Sequence, residues 1–277
     1  MNVISCSRRT DIPAFYWGWL KEQIKQGFVI VPNPFSKREF ERSLSPTDVS
    51  GFVFWSKNYK NLLRDWSFLE VYPQTDRGAP FYFHFTINSE VQALERSHSN
   101  SLEERVDQAC ELAEMFGPER VMWRFDPIVH WTEEGSDLVQ DNLGDFSFIA
   151  ESLVDGGIGH CTISFATVYK KIHARARSTN IRFVTATNQI KKAVLSYLFE
   201  RKPPSLELIS CCDPELPLNG RGCINGNYLE QIWGKKITKA RDTGQREACL
   251  CTKSVDIGNY SQRCYHNCLY CYAQPSL

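Results

Sequence analysis

The stretch Cys264-Tyr265-His266-Asn267-Cys268-Leu269-Tyr270-Cys271-Tyr272 sets three thiols at the spacing C-x3-C-x2-C, with an aromatic residue directly before the third. Three thiolates so spaced can hold three irons of a [4Fe–4S] cube and leave the fourth open; ferredoxin-type clusters draw a fourth Cys from elsewhere. An open iron can chelate S-adenosylmethionine through its amino and carboxylate groups, and electron transfer then breaks the sulfonium bond homolytically. The alternative for these residues is a zinc site of Cys264, Cys268, Cys271 and His266. Closed zinc sites usually pair C-x2-C with a second, distant pair, so the third Cys and the aromatic fit a cluster better.

A second set precedes it. Of 11 cysteines, eight lie from Cys211 onward. Clustered thiols in a reducing compartment bind metal or do redox work rather than form disulfides. Cys211-Cys212, Cys223, Cys249 and Cys251 supply four thiolates if one of the adjacent pair is used, and Cys212 is preferred because it opens the loop at Asp213-Pro214. Four thiolates suit a second [4Fe–4S] cluster or a four-cysteine zinc site, and iron is favoured in a protein that already assembles a cluster. Cys6, Cys110 and Cys161 read as packing residues.

The terminal motif resembles the C-x3-C-x-aromatic-C signature of the radical S-adenosylmethionine superfamily. That superfamily places it near the N-terminus, whereas here it ends six residues before the last. This placement resembles the DUF1848 family, and the likeness extends along nearly the whole chain. It includes Ile4-Ser5-Cys6-Ser7-Arg8-Arg9-Thr10-Asp11-Ile12-Pro13, Phe54-Trp55-Ser56-Lys57-Asn58, Arg124-Phe125-Asp126-Pro127-Ile128 and Asp256-Ile257-Gly258-Asn259-Tyr260. The resemblance implies a circularly permuted barrel. Ser254 to Tyr260 leads into the cluster loop, and Val3 to Ser7 is a later strand of the same barrel. It also implies that the backbone of Tyr270 lies against the adenine of S-adenosylmethionine. The implied reaction is reductive cleavage of that cofactor to methionine and a 5′-deoxyadenosyl radical, which abstracts hydrogen from a substrate the sequence does not identify. The competing readings are a non-catalytic zinc or iron–sulfur binding module and an iron–sulfur redox sensor.

In a parallel barrel, function sits where strands end. Arg8, Arg9 and Asp11 follow the first strand and are candidates to bind the cofactor. Lys57, which follows Phe54-Trp55, is a candidate for catalysis, as are His84 on the polar face of an aromatic strand and Arg124 with Asp126 on one strand face. Taken singly each has a plainer reading: Arg124 with Asp126 as a buried structural pair, His84 as a satisfied core histidine.

Positioning these groups falls to short apolar runs alternating with helical patterns. Strands are expected at Val3–Ser7, Phe28–Val31, Gly51–Ser56, Phe81–Ile87, Val121–Val129, Cys161–Tyr169 and Leu206–Ser210. Helices are expected over Pro13–Gln26, between Tyr59 and Glu70, from the capping box Ser101/Glu104 to Gly117, over Asp145–Asp155, and from Thr187 to Pro203. Strands alternating with helices predict an α/β fold, a complete or partial (β/α) barrel over residues 1–210, with a doubly wound open sheet as the alternative. Residues 211–277, rich in Gly, Asn and Cys, read as a region completing the barrel and held by its metal rather than by a large core.

Composition sets the outer bounds. The chain of 277 residues is 42% hydrophobic and 23% charged, an ordinary globular balance. No apolar run reaches the length of a membrane span, and the N-terminus does not read as a secretory signal, so a cytoplasmic location is expected. The 32 Lys and Arg balance 32 Asp and Glu, which argues against a nucleic-acid binder driven by phosphate contacts. Two basic runs, Lys170 to Arg177 and Lys235 to Arg241, read as solvated faces, with an acidic electron donor such as flavodoxin or ferredoxin as the functional alternative.

Overall fold

The computed structural model describes residues 1–33, 36, 38–95 and 100–273. Its frame is an 8-stranded sheet in the order Asn219–Gly220, Glu207–Ser210, His160–Phe165, Val121–Ile128, Phe81–Thr86, Val49–Ser56, Asn2–Cys6, Val255–Asp256. Every neighbouring pair is parallel, with registers such as Ile4↔Phe52, Phe54↔Phe83, Phe85↔Trp123 and Thr162↔Ile209. From Asn2 to Ser210 each new strand is added beside the previous one in the same sense, so all C-terminal strand ends share one edge. The strand from the far end of the chain, Val255–Asp256, joins the free side of the first strand through Ile4↔Val255 and Ser5↔Asp256. Among the described residues no pairing joins the two outer strands. Among the described residues the sheet is therefore open.

One face of the sheet is aromatic by alternation. Phe52, Phe54, Phe81, Phe83, Phe85, Trp123 and Phe125 are fully buried there, and Phe54 and Phe83 stack at 5.6 Å across the strand pair. Helices Leu102–Phe116, Phe146–Asp155 and Asn188–Arg201 share this core through Leu112, Ile149, Leu153 and Leu198. Burying each such side chain contributes roughly 1.5–3 kcal/mol. The Ser101/Glu104 capping box is present as expected, and Gly117, at φ 103°, ends that helix. Cys6 and Cys161 lie in the same core and Cys110 packs against it, as expected.

The opposite face is apolar near the strand starts, where Val3, Val53, Tyr82, Met122 and Ile209 lie. It is covered by Ile224, Leu229, Ile232, Trp233 and Ile237, around helix Gly226–Trp233. Asn225 caps this helix by accepting from the N–H groups of Asn227 and Tyr228 at 3.0 and 3.1 Å, and Trp233 Nε1 donates to the Phe81 carbonyl at 3.0 Å. The expectation that residues 211–277 lack a substantial core is thereby corrected. They contribute a helix whose apolar side covers one face of the sheet. Two residues further along the same strands come Ser5, Trp55, His84, Arg124 and Cys211, so this face turns polar toward the shared edge.

Three further differences shape the site. Phe28–Pro32 pairs antiparallel with Glu39–Ser43 in a separate hairpin, not in the main sheet. The helix expected over Pro13–Gln26 is two, Ile12–Phe15 and Trp17–Gln26, joined at Tyr16. The strand expected through Tyr169 stops at Phe165, and helix Lys170–Ala176 follows. Beside it, His130–Glu133 pairs antiparallel with Gln140–Asp141 and Ile181–Val184. Among the described residues no helix is long and apolar enough to cross a membrane.

Candidate functional site

The three-cysteine loop rests on the small antiparallel sheet. Cys268, Leu269 and Tyr270 are buried against Leu94, Val129, Trp131, Ile172 and Phe183. The loop backbone is fixed from outside: the Leu269 N–H donates to the Leu94 carbonyl at 2.7 Å. Arg175 Nη1 donates to the carbonyls of Leu269 and Cys271 at 3.0 Å and of Cys268 at 3.4 Å. At Asn267 the chain takes φ 51°, a left-handed conformation that Asn tolerates. Arg175 belongs to a basic run expected to be a solvated face. The structure corrects that reading, because half-buried Arg175 binds the carbonyls of the cysteine loop.

Below the loop lies a buried polar floor from three strand ends. Lys57, just past Val49–Ser56, places Nζ 2.7 and 2.8 Å from the two Glu95 carboxylate oxygens and 3.2 Å from the Tyr270 hydroxyl. Asn88, just past Phe81–Thr86, donates to Glu95 and to the Tyr270 hydroxyl at 3.0 Å, and that hydroxyl in turn donates to Glu95. Asp11 accepts from Ser56 Oγ at 2.7 Å, the Lys57 N–H at 2.9 Å and, as N-cap, the Ala14 N–H at 2.9 Å. It also faces His266 Nε2 at 2.8 Å. Because a carboxylate only accepts, that nitrogen carries the proton.

These surroundings set the chemistry of the thiols. Burial, with Asp11 adding to it, pushes Cys264 up to about 12. Burial pushes Cys268 well above its ordinary value, and the Lys57 ammonium opposes this. Burial also works against the charge of Lys57, but Glu95 and then Cys268 outweigh it and raise its pKa. Cys264 and Cys268 each feel Cys271, so the three thiols share one electrostatic space. Among the described residues, no three or more Cys, His, Asp or Glu side chains form a group that could hold a metal ion. His266 is turned to Asp11, so the four-ligand zinc set is not assembled. A cube binds each thiolate through a different iron and does not require the sulfurs to meet at one point. In donor chemistry, spacing and burial the loop fits that group.

The other five cysteines also come together. Cys211 Sγ lies 3.5 Å from Cys223 Sγ and 3.9 Å from Cys212 Sγ. Cys212 bonds Cys249, and Cys249 bonds Cys251. Hydrogen bonds from Cys211 and Cys249, and then Arg246, depress Cys212 to about 3, while the bonds to Cys212 and Cys223 push Cys211 up. The sequence reading set Cys211 aside in favour of Cys212, yet Cys211 is the thiol in contact with Cys223.

Four residues singled out from the sequence meet beside this group. Arg124 donates from Nη1 to Cys223 Sγ at 3.0 Å and from Nη2 to Asp126, which also accepts from Ser164 Oγ. The guanidinium carbons of Arg8 and Arg124 lie 5.2 and 5.3 Å from the Trp55 ring centroid, and His84 stacks on the same ring at 4.1 Å. Burial depresses His84 to about 3, leaving a neutral ring. Its Nε2 faces the Cys223 carbonyl at 2.8 Å and is therefore the protonated nitrogen. Arg9 is drawn elsewhere: it donates to the Gly258 carbonyl at 3.1 Å and holds the turn before the cysteine loop.

Sequence reasoning missed Glu95, Asn88, Arg175 and the role of Asp256. Asp256 accepts from Ser7 Oγ at 2.7 Å, the Arg8 N–H at 2.8 Å, Ser5 Oγ at 3.0 Å and the Gly258 N–H at 3.1 Å, and so binds the two chain ends together. Its place in the Asp256–Tyr260 stretch and the position of Asn88 at a strand end were the available signals; Glu95 carried none. No curated protein matches the chain. The family model DUF1848, a domain of unknown function, matches residues 3–273, nearly the entire length, and the chain belongs to that family.

Proposed function

We propose that the protein is a radical S-adenosylmethionine enzyme of circularly permuted type, with a [4Fe–4S] cluster on Cys264, Cys268 and Cys271. The observation that carries this reading is topological. The cysteine loop follows a strand, Val255–Asp256, that is paired in parallel with the first strand. The loop thereby reaches the shared edge of strand ends where Asp11, Lys57 and Asn88 lie. Parallel α/β enzymes build their sites on that edge. When bound, the cluster and its cofactor would supply reductive cleavage and hydrogen abstraction from a substrate.

The chain's own residues have separable tasks. Lys57, charge-paired with Glu95, favours the thiolate of buried Cys268. Arg175 fixes the loop carbonyls, and Asp11 fixes His266. Leu94, Trp131 and Leu269 keep water from Cys268. Arg8, held at its backbone by Asp256, faces Cys251 and Cys223 of the second thiol group. A zinc staple or a cluster without the cofactor is the competing account. The test is electron paramagnetic resonance of anaerobically reconstituted, dithionite-reduced protein. Adding S-adenosylmethionine is expected to change the signal, and an unchanged signal from a reduced cluster would remove the cofactor from the account.

A further inference from the structure

Residues 211–251 bring five thiols together from three separate loops: Cys211 Sγ contacts Cys223 Sγ and Cys212 Sγ, and Cys249 interacts with Cys212 and Cys251. Two cationic side chains face this group. Arg124, only 7% exposed, donates to Cys223 Sγ at 3.0 Å. Arg8 interacts with Cys251, and its buried Nη2 has no hydrogen-bond partner among the described residues. Buried guanidiniums require anionic neighbours. Asp126 answers Arg124, and Asp256 is a carboxylate in electrostatic reach of Arg8. Cys211 Sγ lies 3.5 Å from Cys223 Sγ and 3.9 Å from Cys212 Sγ, and Cys223 Sγ accepts from a buried guanidinium, so soft donors are gathered as a thiophilic metal centre requires. A cube takes each thiolate on a different iron, so the sulfurs need not converge on one point.

We propose that Cys211, Cys212, Cys223, Cys249 and Cys251 hold a second iron–sulfur centre, four of the five serving as ligands, with Arg124 as a positioning residue whose hydrogen bond to the Cys223 sulfur tunes it. This site stands independently of the terminal motif, and its test is arranged accordingly. Hydrogen bonds to ligand sulfurs and nearby positive charge favour the reduced cluster, so they raise its potential.

The experiment uses the full chain carrying Cys264→Ala, Cys268→Ala and Cys271→Ala, reconstituted anaerobically with iron and sulfide. The expected result is a brown protein with about four irons per chain. Adding Cys249→Ala and Cys251→Ala should abolish that iron. In the triple-alanine background, Arg124→Met should keep the iron and move the midpoint of a dithionite titration to a more negative potential. To guard against misfolding, Cys249→Ser/Cys251→Ser in the otherwise wild-type chain should remove about four irons per chain, whatever the terminal motif holds. A colourless, zinc-loaded triple variant, iron unaffected by loss of Cys249 and Cys251, or an unmoved midpoint in Arg124→Met would overturn the proposal. The terminal cluster's activity with S-adenosylmethionine bears on none of these readouts.

Discussion

Lys57 and Glu95 meet at 2.7 Å with side chains only 11% and 2% exposed, directly beneath the cysteine loop. Two charges taken this far from water rely on each other, with Asn88 and the Tyr270 hydroxyl also bonded to Glu95. Removing one partner leaves the other uncompensated, which costs about 3–5 kcal/mol, whereas replacing both with apolar groups can be close to neutral. Lys57→Met is therefore expected to lower unfolding free energy in urea by that amount, and Lys57→Met/Glu95→Leu to recover much of it. A single-variant loss of under about 0.5 kcal/mol, the range of an ordinary surface change, would show that the pair is not a buried one.

Arg175 supports the loop through its backbone carbonyls. Arg175→Ala strands the carbonyls of Cys268, Leu269 and Cys271 and should cost about 1–3 kcal/mol. Its sharper signature is kinetic: chelator should strip iron from the reconstituted variant faster than from wild type, at equal starting iron content. Equal loss rates would mean that the loop is held by something other than these bonds.

Gly51 lies where the strand, the Pro80 turn and the helix Gly226–Trp233 approach most closely. A Cβ there would sit 2.4 Å from the Pro80 carbonyl oxygen and 2.8 Å from the Trp233 ring. Strand propensity alone favours Ala over Gly, so Gly51→Ala separates propensity from packing. A drop of roughly 1–3 kcal/mol in denaturant melts is expected, and a gain in stability would contradict the close contact of the Gly226–Trp233 helix with the sheet.

Much of the frame was legible in the chain because its signals are local. The alternation in Phe81–Thr86 placed the phenylalanines on the core face and Tyr82, His84 and Thr86 on the other, and the Ser101/Glu104 box marked a helix start. An open sheet lay within what the alternation allowed, but the cover of its second face was not legible: helix Gly226–Trp233 lies in a stretch dominated by Gly, Asn and Cys, where the apolar pattern is short. The site divides in the same way. The thiols announced themselves by spacing, as did the strand-end groups Asp11, Lys57 and Arg124. Glu95 meets Lys57 from 38 positions away and Arg175 meets the loop from more than 90 positions away, and no local pattern encodes those contacts. The run containing Arg175 looked like a solvated face because its charge density is that of one.

The central claim concerns what the three-thiol loop does with S-adenosylmethionine. Wild-type protein, reconstituted anaerobically and reduced with dithionite, should convert the cofactor to 5′-deoxyadenosine even without substrate, slowly, as hydrogens from solvent or protein quench the reaction. Cys271→Ala keeps the sheet but removes one cluster ligand, and should yield none above background. The measurement is chromatographic quantification of 5′-deoxyadenosine from both proteins, with cell extract added as a source of substrate. Product from wild type alone is the predicted result. A fully reduced wild-type cluster that gives no more than Cys271→Ala would contradict the enzyme reading and leave the loop as a cluster or metal site without this chemistry.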